Sequence, residues 1–212
     1  MPNSTFFHLP QAKRQRLLDA AWEEFTTVSY LDASINKIIQ SAEISRGSFY
    51  QYFSGKKDLF AYLLQTLFQS AKEMFTAQLT VHGGDLFAAI LGMYDLVLCR
   101  KSKCRRSATQ MRIYQLIRLN TELDLNEFSD ILDPSLAARD AQRLLEDAGY
   151  ALCSEQQCLA VIQMFLSLCT FALTDALRNP EHEQRNRDLL EQQLDIIRRG
   201  LLLPQPEEAN LC

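Results

Sequence analysis

Turn-forming residues are scarce along this chain. Only 7 glycines and 6 prolines are spread over 212 residues, whereas β-sandwiches and barrels need a turn about every dozen residues or fewer. Hydrophobic residues make up 47% of the chain and charged residues 23%, which excludes a disordered polypeptide. The sequence therefore predicts an all-α protein, long enough to form one ordinary domain or two small ones.

The N-terminal part of the chain predicts three shorter helices followed by a long one. Apolar residues recur at helical intervals over residues 14–25, which indicates an amphipathic first helix. A serine stands at the N-cap position before each of the next three segments. These segments begin after Ser34, Ser45 and Ser54 and reach Ala42, Tyr52 and about Leu79.

Further helices are predicted after the glycine pair Gly83-Gly84. They are expected at 85–99, 107–119, 122–132 and 134–148, then from Ser154 to Asn179, and finally from 181 to 199 with a stop at Gly200. Residues 1–64 are expected to form one domain, residues 65–204 a second, and residues 205–212 a loose tail.

The second and third predicted helices are joined by a short turn at residues 42–44, which is the arrangement of a helix-turn-helix. In the third helix, Phe49 and Phe53 lie four residues apart and are expected to face the core. The residues left to point outward are then Arg46, Ser48, Tyr50, Gln51 and Tyr52. Exposed donors and aromatic hydroxyls suit base edges and phosphates, so the pattern indicates a DNA-reading helix.

Several consecutive motifs fill the segment from Lys13 to Leu64. They are Arg16-Leu17-Leu18, Ala20-Ala21, Phe25, Ser34-Ile35, Ile44-Ser45-Arg46-Gly47-Ser48-Phe49-Tyr50-Gln51-Tyr52-Phe53 and Lys56-Lys57-Asp58-Leu59. In spacing and residue type, this quarter of the chain resembles the DNA-binding domain of TetR/AcrR-type transcriptional regulators. The resemblance implies a homodimer with two recognition helices in successive major grooves of a palindromic operator. It also implies a helical C-terminal domain that binds a small-molecule effector and forms the dimer, in a regulator that is most often a repressor.

Nine residues of this segment are expected to contact double-stranded DNA. They are Ser34, Ser45, Arg46, Gly47, Ser48, Tyr50, Gln51, Tyr52 and Lys56. The resemblance implies phosphate contacts for Ser34 and Lys56, base approach for residues 46–48, and phosphates or base edges for the two tyrosines. Arg can fork onto guanine, and Gln51 is assigned to adenine on chemistry alone.

Two positions depart from the family pattern. The family often has glycine where Ser29 ends the first helix and where Glu43 sits in the turn. Glycine is favoured at such positions if the backbone adopts a positive φ, which costs other residues about 1 kcal/mol. A slightly strained turn is therefore expected.

The C-terminal helices carry apolar stripes that fit dimerisation. Residues 159–173 are apolar nearly all round, and Leu190, Leu194, Ile197 and Leu201 recur at helical intervals with Leu189 alongside. Two such helices are expected to pair with their copies as a four-helix interface. The alternative is that these residues form an intramolecular core.

Large side chains on the middle helices are the candidates for an effector pocket. They are Met93, Tyr94, Met111, Tyr114, Phe128, Met164 and Phe165. Plain core packing is the alternative for each of them. The stretch Arg100–Arg106 holds five cations without an acid, and it is interpreted as an exposed loop, an anionic effector site or an auxiliary DNA contact.

No constellation in the sequence indicates catalysis, a cofactor or a metal. Paired carboxylates, a nucleophile with its base, a glycine-rich phosphate loop and zinc spacing are not found, and the three histidines lie far apart. The six cysteines are expected to be free thiols, with a Cys99/Cys104 switch as the alternative. Without a signal peptide or a long apolar span, the protein is expected to be cytoplasmic and not membrane-bound. An all-helical enzyme or protein-binding adaptor remains the alternative function.

The formal net charge of -4 is unevenly distributed. Residues 1–64 hold 7 Lys and Arg against 6 Asp and Glu, whereas residues 131–212 hold 7 against 13. The acidity is therefore C-terminal, and the predicted DNA-binding domain has a weakly positive balance. Its affinity is expected to depend on well-placed contacts and dimerisation, with a moderate salt dependence.

Overall fold

The computed structural model describes residues 2–99, 107–120 and 155–202, together with residues 142, 143 and 146. Within these ranges every regular element is a helix, which confirms the predicted all-α class. The elements are α1 (Ser4–Phe7), α2 (Gln11–Thr27), α3 (Ile35–Ser41), α4 (Arg46–Tyr52), α5 (Lys56–Val81), α6 (Leu86–Leu98), α7 (Ala108–Leu119), α8 (Glu155–Arg178), a 3₁₀ turn (Pro180–His182) and α9 (Glu183–Leu202). The segment predicted at 122–132, most of that at 134–148 and the tail lie outside the described residues.

Helix ends show where local signals hold and where they fail. The Ser45 hydroxyl accepts the Ser48 backbone N–H at 3.1 Å, and Ser107 forms a capping box with Gln110 at the start of α7. The predicted stop at Gly200 is wrong, because α9 runs through it to Leu202. Gly200 does not take the left-handed backbone that ends a helix, and a glycine inside a helix costs only about 1 kcal/mol relative to alanine.

One aromatic core lies among the described residues within Met1–Met74 and Leu96–Pro134. Its fully or nearly buried side chains include Leu17, Ala21 and Phe25 of α2, Ile38 of α3, Phe49 and Phe53 of α4, Leu59, Phe60 and Leu63 of α5, and Leu116 of α7. The ring centroids of Phe25 and Phe60 are 4.8 Å apart. Because every helix from α2 to α5 contributes to this core, close packing in the core fixes the positions of the two helices of the helix-turn-helix.

The short helix α1 has no counterpart among the helices that the sequence predicts. Phe6 is fully buried in the same core, with its ring centroid 4.9 Å from that of Phe53 and 5.3 Å from that of Tyr62. A four-residue helix has too little periodicity for a sequence pattern to reveal it.

A second unit is formed by the described residues within Phe75–Asp95 and Ser135–Cys212, and it includes most of α6 together with α8 and α9. The ring centroids of Phe87 and Phe165 are 5.7 Å apart. The Arg187 guanidinium forks onto the Asp95 carboxylate, with N–O distances of 2.9 and 3.2 Å. These two units are defined by the packing of their residues. The predicted boundary at residue 64 instead separates a DNA-binding domain from an effector-binding and dimerisation domain, and it stays a prediction.

The apolar stripe of α9 is used inside this unit. Leu190 and Leu194 are 0% and 1% exposed, and α8 and α9 pack against each other. Leu190 and Leu194 therefore belong to an intramolecular core, which is the alternative to a dimer interface that the sequence leaves open. Among the side chains of the two helices that the structure describes, five large apolar ones are exposed, namely Met164, Leu166, Phe171, Leu189 and Ile196. Among the described residues, no helix is both long and apolar enough to cross a membrane.

Candidate nucleic-acid interface

The turn between α3 and α4 is closed by backbone hydrogen bonds. The Ala42 N–H donates to the Ile38 carbonyl at 2.9 Å, and the Ile44 N–H donates to the Ile39 carbonyl at 3.1 Å. Ala42 is buried, so the turn is also anchored in the core. This geometry fixes the direction in which α4 leaves the turn.

Glu43 occupies the left-handed region in that turn, with a φ of +53°. A side chain there costs about 1 kcal/mol relative to glycine, as its departure from the family pattern implies. The Glu43 carboxylate pairs with the Arg16 guanidinium at 2.6 Å, and both side chains are exposed. Ser29, the other departure, is not at positive φ, so no such cost applies to it.

The outward face of α4 carries most of the predicted contact residues. Arg46, Gly47, Tyr50 and Gln51 are exposed, and Ser48 is half-buried. The expectation that Tyr52 also points outward is wrong, because this side chain is only 4% exposed. Tyr52 lies three residues after Phe49 and joins it on the buried face of the helix.

The Arg46 side chain is held over the surface by two neighbours. Its Nη1 donates to Asn36 Oδ1 of α3 at 3.2 Å, and its guanidinium carbon lies 5.8 Å from the centroid of the Tyr50 ring. Both contacts leave the guanidinium at the exposed surface. The sequence does not single out Asn36, because only the packing of α3 against α4 places it beside Arg46.

Ser34 and Lys56, the two residues at helix starts that are predicted to contact phosphates, make different hydrogen bonds within the protein. Ser34 stands at the N-cap of α3 but its hydroxyl makes no capping bond; its backbone N–H donates to Glu24 Oε1 at 2.9 Å. The Lys56 ammonium donates to the carbonyls of Leu31 and Ala33 at 2.9 and 3.1 Å. These two hydrogen bonds tie the loop before α3 to α5, and the same nitrogen lies 4.9 Å from the centroid of the Tyr30 ring.

The candidate pocket residues lie in different surroundings. Tyr94 is buried and its hydroxyl donates to the Glu183 carbonyl at 3.0 Å, and Phe165 packs against Phe87. Met164 lines an open groove of about 440 Å³ with Ala160, Gln163, Ser167 and Leu168. Met93 and Tyr114 are half-buried and Met111 is exposed. Phe128 lies outside the described residues.

Two of the cysteines are described as free thiols, Cys99 and Cys169. Burial raises the pKa of the Cys169 thiol to about 12, so this residue is unreactive as a nucleophile near neutral pH. Cys104 and the basic stretch 100–106 lie outside the described residues, and the thiol switch and the roles suggested for that stretch stay predictions.

Comparisons with known proteins agree on the class of protein. The family model for bacterial regulatory proteins of the tetR family matches residues 17–63. Over 102 residues the chain is 30% identical to the uncharacterized HTH-type transcriptional regulator TtgW of Pseudomonas putida, a match that covers 48% of this chain and 73% of that protein. It is also 38% identical over 71 residues to the uncharacterized HTH-type transcriptional regulator YdgC of Bacillus subtilis, which covers 34% of this chain. That match spans only 36% of the length of the relative.

The fold has solved counterparts as well. The crystal structure of a TetR transcriptional regulator from Rhodococcus sp. RHA1 aligns with a TM-score of 0.54, covering 91% of this chain and 100% of that chain at 16% identity. At this identity the likeness establishes the shared helical fold, in which a helix-turn-helix is followed by a helical C-terminal region.

Proposed function

Because this chain belongs to the TetR family of DNA-binding transcriptional regulators, we propose that it is a repressor that binds a palindromic operator as a homodimer. A small molecule bound in the C-terminal region lowers its affinity for that operator. Residues 1–64 bind DNA, and residues 65–204 bind the effector and form the dimer. The observation that carries the proposal is the exposed polar face of α4, which projects from a closed turn on a buried aromatic core.

In the proposed complex, α4 lies in the major groove and reads bases through its exposed side chains. Arg46 donates both arms of its guanidinium to guanine, and Gln51 pairs with adenine. Tyr50 contacts a phosphate or a base edge, while Ser45, Gly47 and Ser48 allow the start of the helix to approach the bases closely. Ser34 and Lys56 hold phosphates on either side. Tyr52 is not among these contacts, because its side chain supports α4 from below.

Exposed apolar side chains support the proposed homodimer. Leu166 and Phe171 of α8 are 59% and 64% exposed, and Ile196 of α9 is 69% exposed. Large apolar side chains concentrated on two neighbouring helices are typical of a surface that another protein covers. A second copy of the chain would bury them in a symmetric interface, and the dimer would double the number of operator contacts.

The packing of α7 supports a response to an effector. The guanidinium of Arg112 lies 4.6 Å from the Trp22 ring of α2, and the Asn120 side chain accepts the Tyr30 backbone N–H at 2.7 Å. A ligand that shifts α7 would therefore act directly on α2 and the loop after it, and α2 shares its buried core with α4. Its effect on DNA affinity is limited by its difference in affinity between the two states.

The proposal is tested with an operator selected from randomised duplexes by the wild-type protein. Truncating Arg46 or Tyr50 to alanine is expected to lower affinity for that operator at least about tenfold, since a bidentate base contact contributes roughly 1–3 kcal/mol. Arg118→Ala, which removes an exposed arginine from α7, is the matched control for charge. Fluorescence anisotropy at fixed salt gives the dissociation constants. Unchanged binding of both α4 variants contradicts the proposal.

A further inference from the structure

The recognition helix α4 is held at its start by an adjacent residue and at its end by a residue from a distant part of the chain. Its start is capped locally by Ser45, whose hydroxyl accepts the Ser48 N–H. Its end is contacted by Asn3, 48 residues earlier: the Asn3 side-chain amide donates to the Gln51 carbonyl at 3.1 Å. The Asn3 backbone N–H donates to the Tyr52 carbonyl at 2.9 Å. Two carbonyls of the last turn, which a helix leaves without partners, are thus satisfied by the N-terminal segment.

The same segment is fixed to the core beneath α4. Phe6 is fully buried, with its ring 4.9 Å from that of Phe53 and 6.5 Å from that of Tyr52, centroid to centroid. The Phe6 N–H donates to the Asn3 carbonyl at 2.9 Å, so the buried ring and the capping asparagine are coupled within one turn of chain. Asn3 is therefore presented to α4 by an anchored backbone.

A seven-residue helix needs such support. Isolated helices of this length are unstable in water, and their last turn frays first. Gln51, one of the proposed base contacts, lies in that last turn, and its own carbonyl is the one that Asn3 binds. The family model begins at residue 17, so this support comes from outside the segment that carries the family signature.

We propose that Asn3, anchored by Phe6, is a positioning residue for operator recognition, which holds the C-terminal turn of α4 so that Gln51 meets its base. The inference rests on the proposed function, because it requires α4 to read DNA. It predicts that the N-terminal segment affects the affinity for the operator by holding the C-terminal half of α4 in place, while Ser45 holds the N-terminal half of α4.

A graded pair of variants tests this role. Asn3→Ala removes the side-chain donor and keeps the backbone N–H. Asn3→Pro removes both donors, and the φ of -68° at this position suits proline. We expect operator affinity to fall about threefold for alanine and about tenfold for proline, as one and two hydrogen bonds are lost. Ser4→Ala, an exposed neighbour in the same segment, is the control and is expected to bind as the wild type does.

A double-mutant cycle separates positioning from general stabilisation. In a Gln51→Ala background, Asn3→Ala is expected to cause no further loss of affinity, whereas in an Arg46→Ala background its threefold loss is retained. Equal losses in both backgrounds, no loss with Asn3→Pro, or an equal loss with Ser4→Ala would each overturn the inference. If Arg46→Ala and Gln51→Ala themselves leave binding unchanged, the proposed DNA interface fails and this inference fails with it.

Discussion

At the scale of single residues, Glu43 combines an unfavourable backbone with a weak compensating contact. Its φ of +53° favours glycine, and its ion pair with Arg16 is exposed at both ends. Exposed ion pairs contribute about 0–1 kcal/mol, which is no more than the backbone costs. The turn of the helix-turn-helix is therefore a place where the chain gives up stability.

Replacing this residue tests the balance. Glu43→Gly is expected to raise the free energy of unfolding by about 0.5 kcal/mol, the relief of strain less the lost pair. Glu43→Ala loses the same pair but keeps the strain, so the glycine variant is expected to exceed it by about 1 kcal/mol. Urea denaturation of the three proteins measures both differences. An alanine variant as stable as the glycine variant would show that the left-handed backbone at this position carries no cost.

At the scale of elements, the corner between α8 and α9 is built around one carboxylate. Asp175 accepts hydrogen bonds from the side-chain amides of Asn186 at 2.7 Å and Asn179 at 2.8 Å, and it lies 3.0 Å from Nδ1 of His182. These bonds, that of Asn186 foremost, lower the pKa of Asp175 from 3.8 to about 2. The ionised carboxylate thus joins both helices and the turn between them.

The lowered pKa of Asp175 predicts a pH dependence with a definite sign. A carboxylate whose pKa is lower in the folded state stabilises the fold above its unfolded pKa, and that stability is lost as the pH falls towards the folded value. The wild type is expected to exceed Asp175→Asn in stability above about pH 4, and the difference is expected to vanish as the pH approaches 2. Urea midpoints from about pH 2 to 6 measure it, with the exposed Asp188→Asn on α9 as control. A difference that does not change with pH would rule out this role for the carboxylate.

The elements also show what the sequence can and cannot predict. Helices α2 to α5 are predictable, because each has a helical repeat or a serine at its start. The burial of Tyr52 is not predictable. The buried side of a two-turn helix has room for three aromatic side chains, and local spacing alone does not decide which aromatic residues of this segment lie there. The contacts of Asn3 and Asn36 with α4 depend on tertiary packing between segments 10 to 48 residues apart, which no local pattern reports.

At the scale of the whole molecule, dimerisation is proposed to use side chains that the chain leaves exposed. Phe171 of α8 is 64% exposed, and a glutamate there would place a charge inside the proposed interface, where it is costly unless paired. Phe171→Glu is therefore expected to shift the protein from two chains to one. Val81→Glu, at a similarly exposed apolar position at the end of α5, is expected to stay dimeric. Sedimentation equilibrium gives both masses, and a Phe171→Glu dimer of wild-type affinity would contradict the proposed surface.

The charge distribution predicts that specific contacts decide the affinity for DNA. With a net charge of -4 on the chain and a nearly balanced charge over residues 1–64, we expect long-range attraction to DNA to be weak and affinity to depend on the proposed contacts of α4. The central claim is that Arg46 on this helix reads a base.

Base-by-base substitution of the selected operator tests that claim most directly. The wild type is expected to lose affinity about tenfold or more when one guanine in each half-site is replaced. Arg46→Ala is expected to bind the original and the replaced operators equally well, with the remaining base preferences unchanged. An Arg46→Ala protein that keeps the preference for guanine at every position would contradict the account.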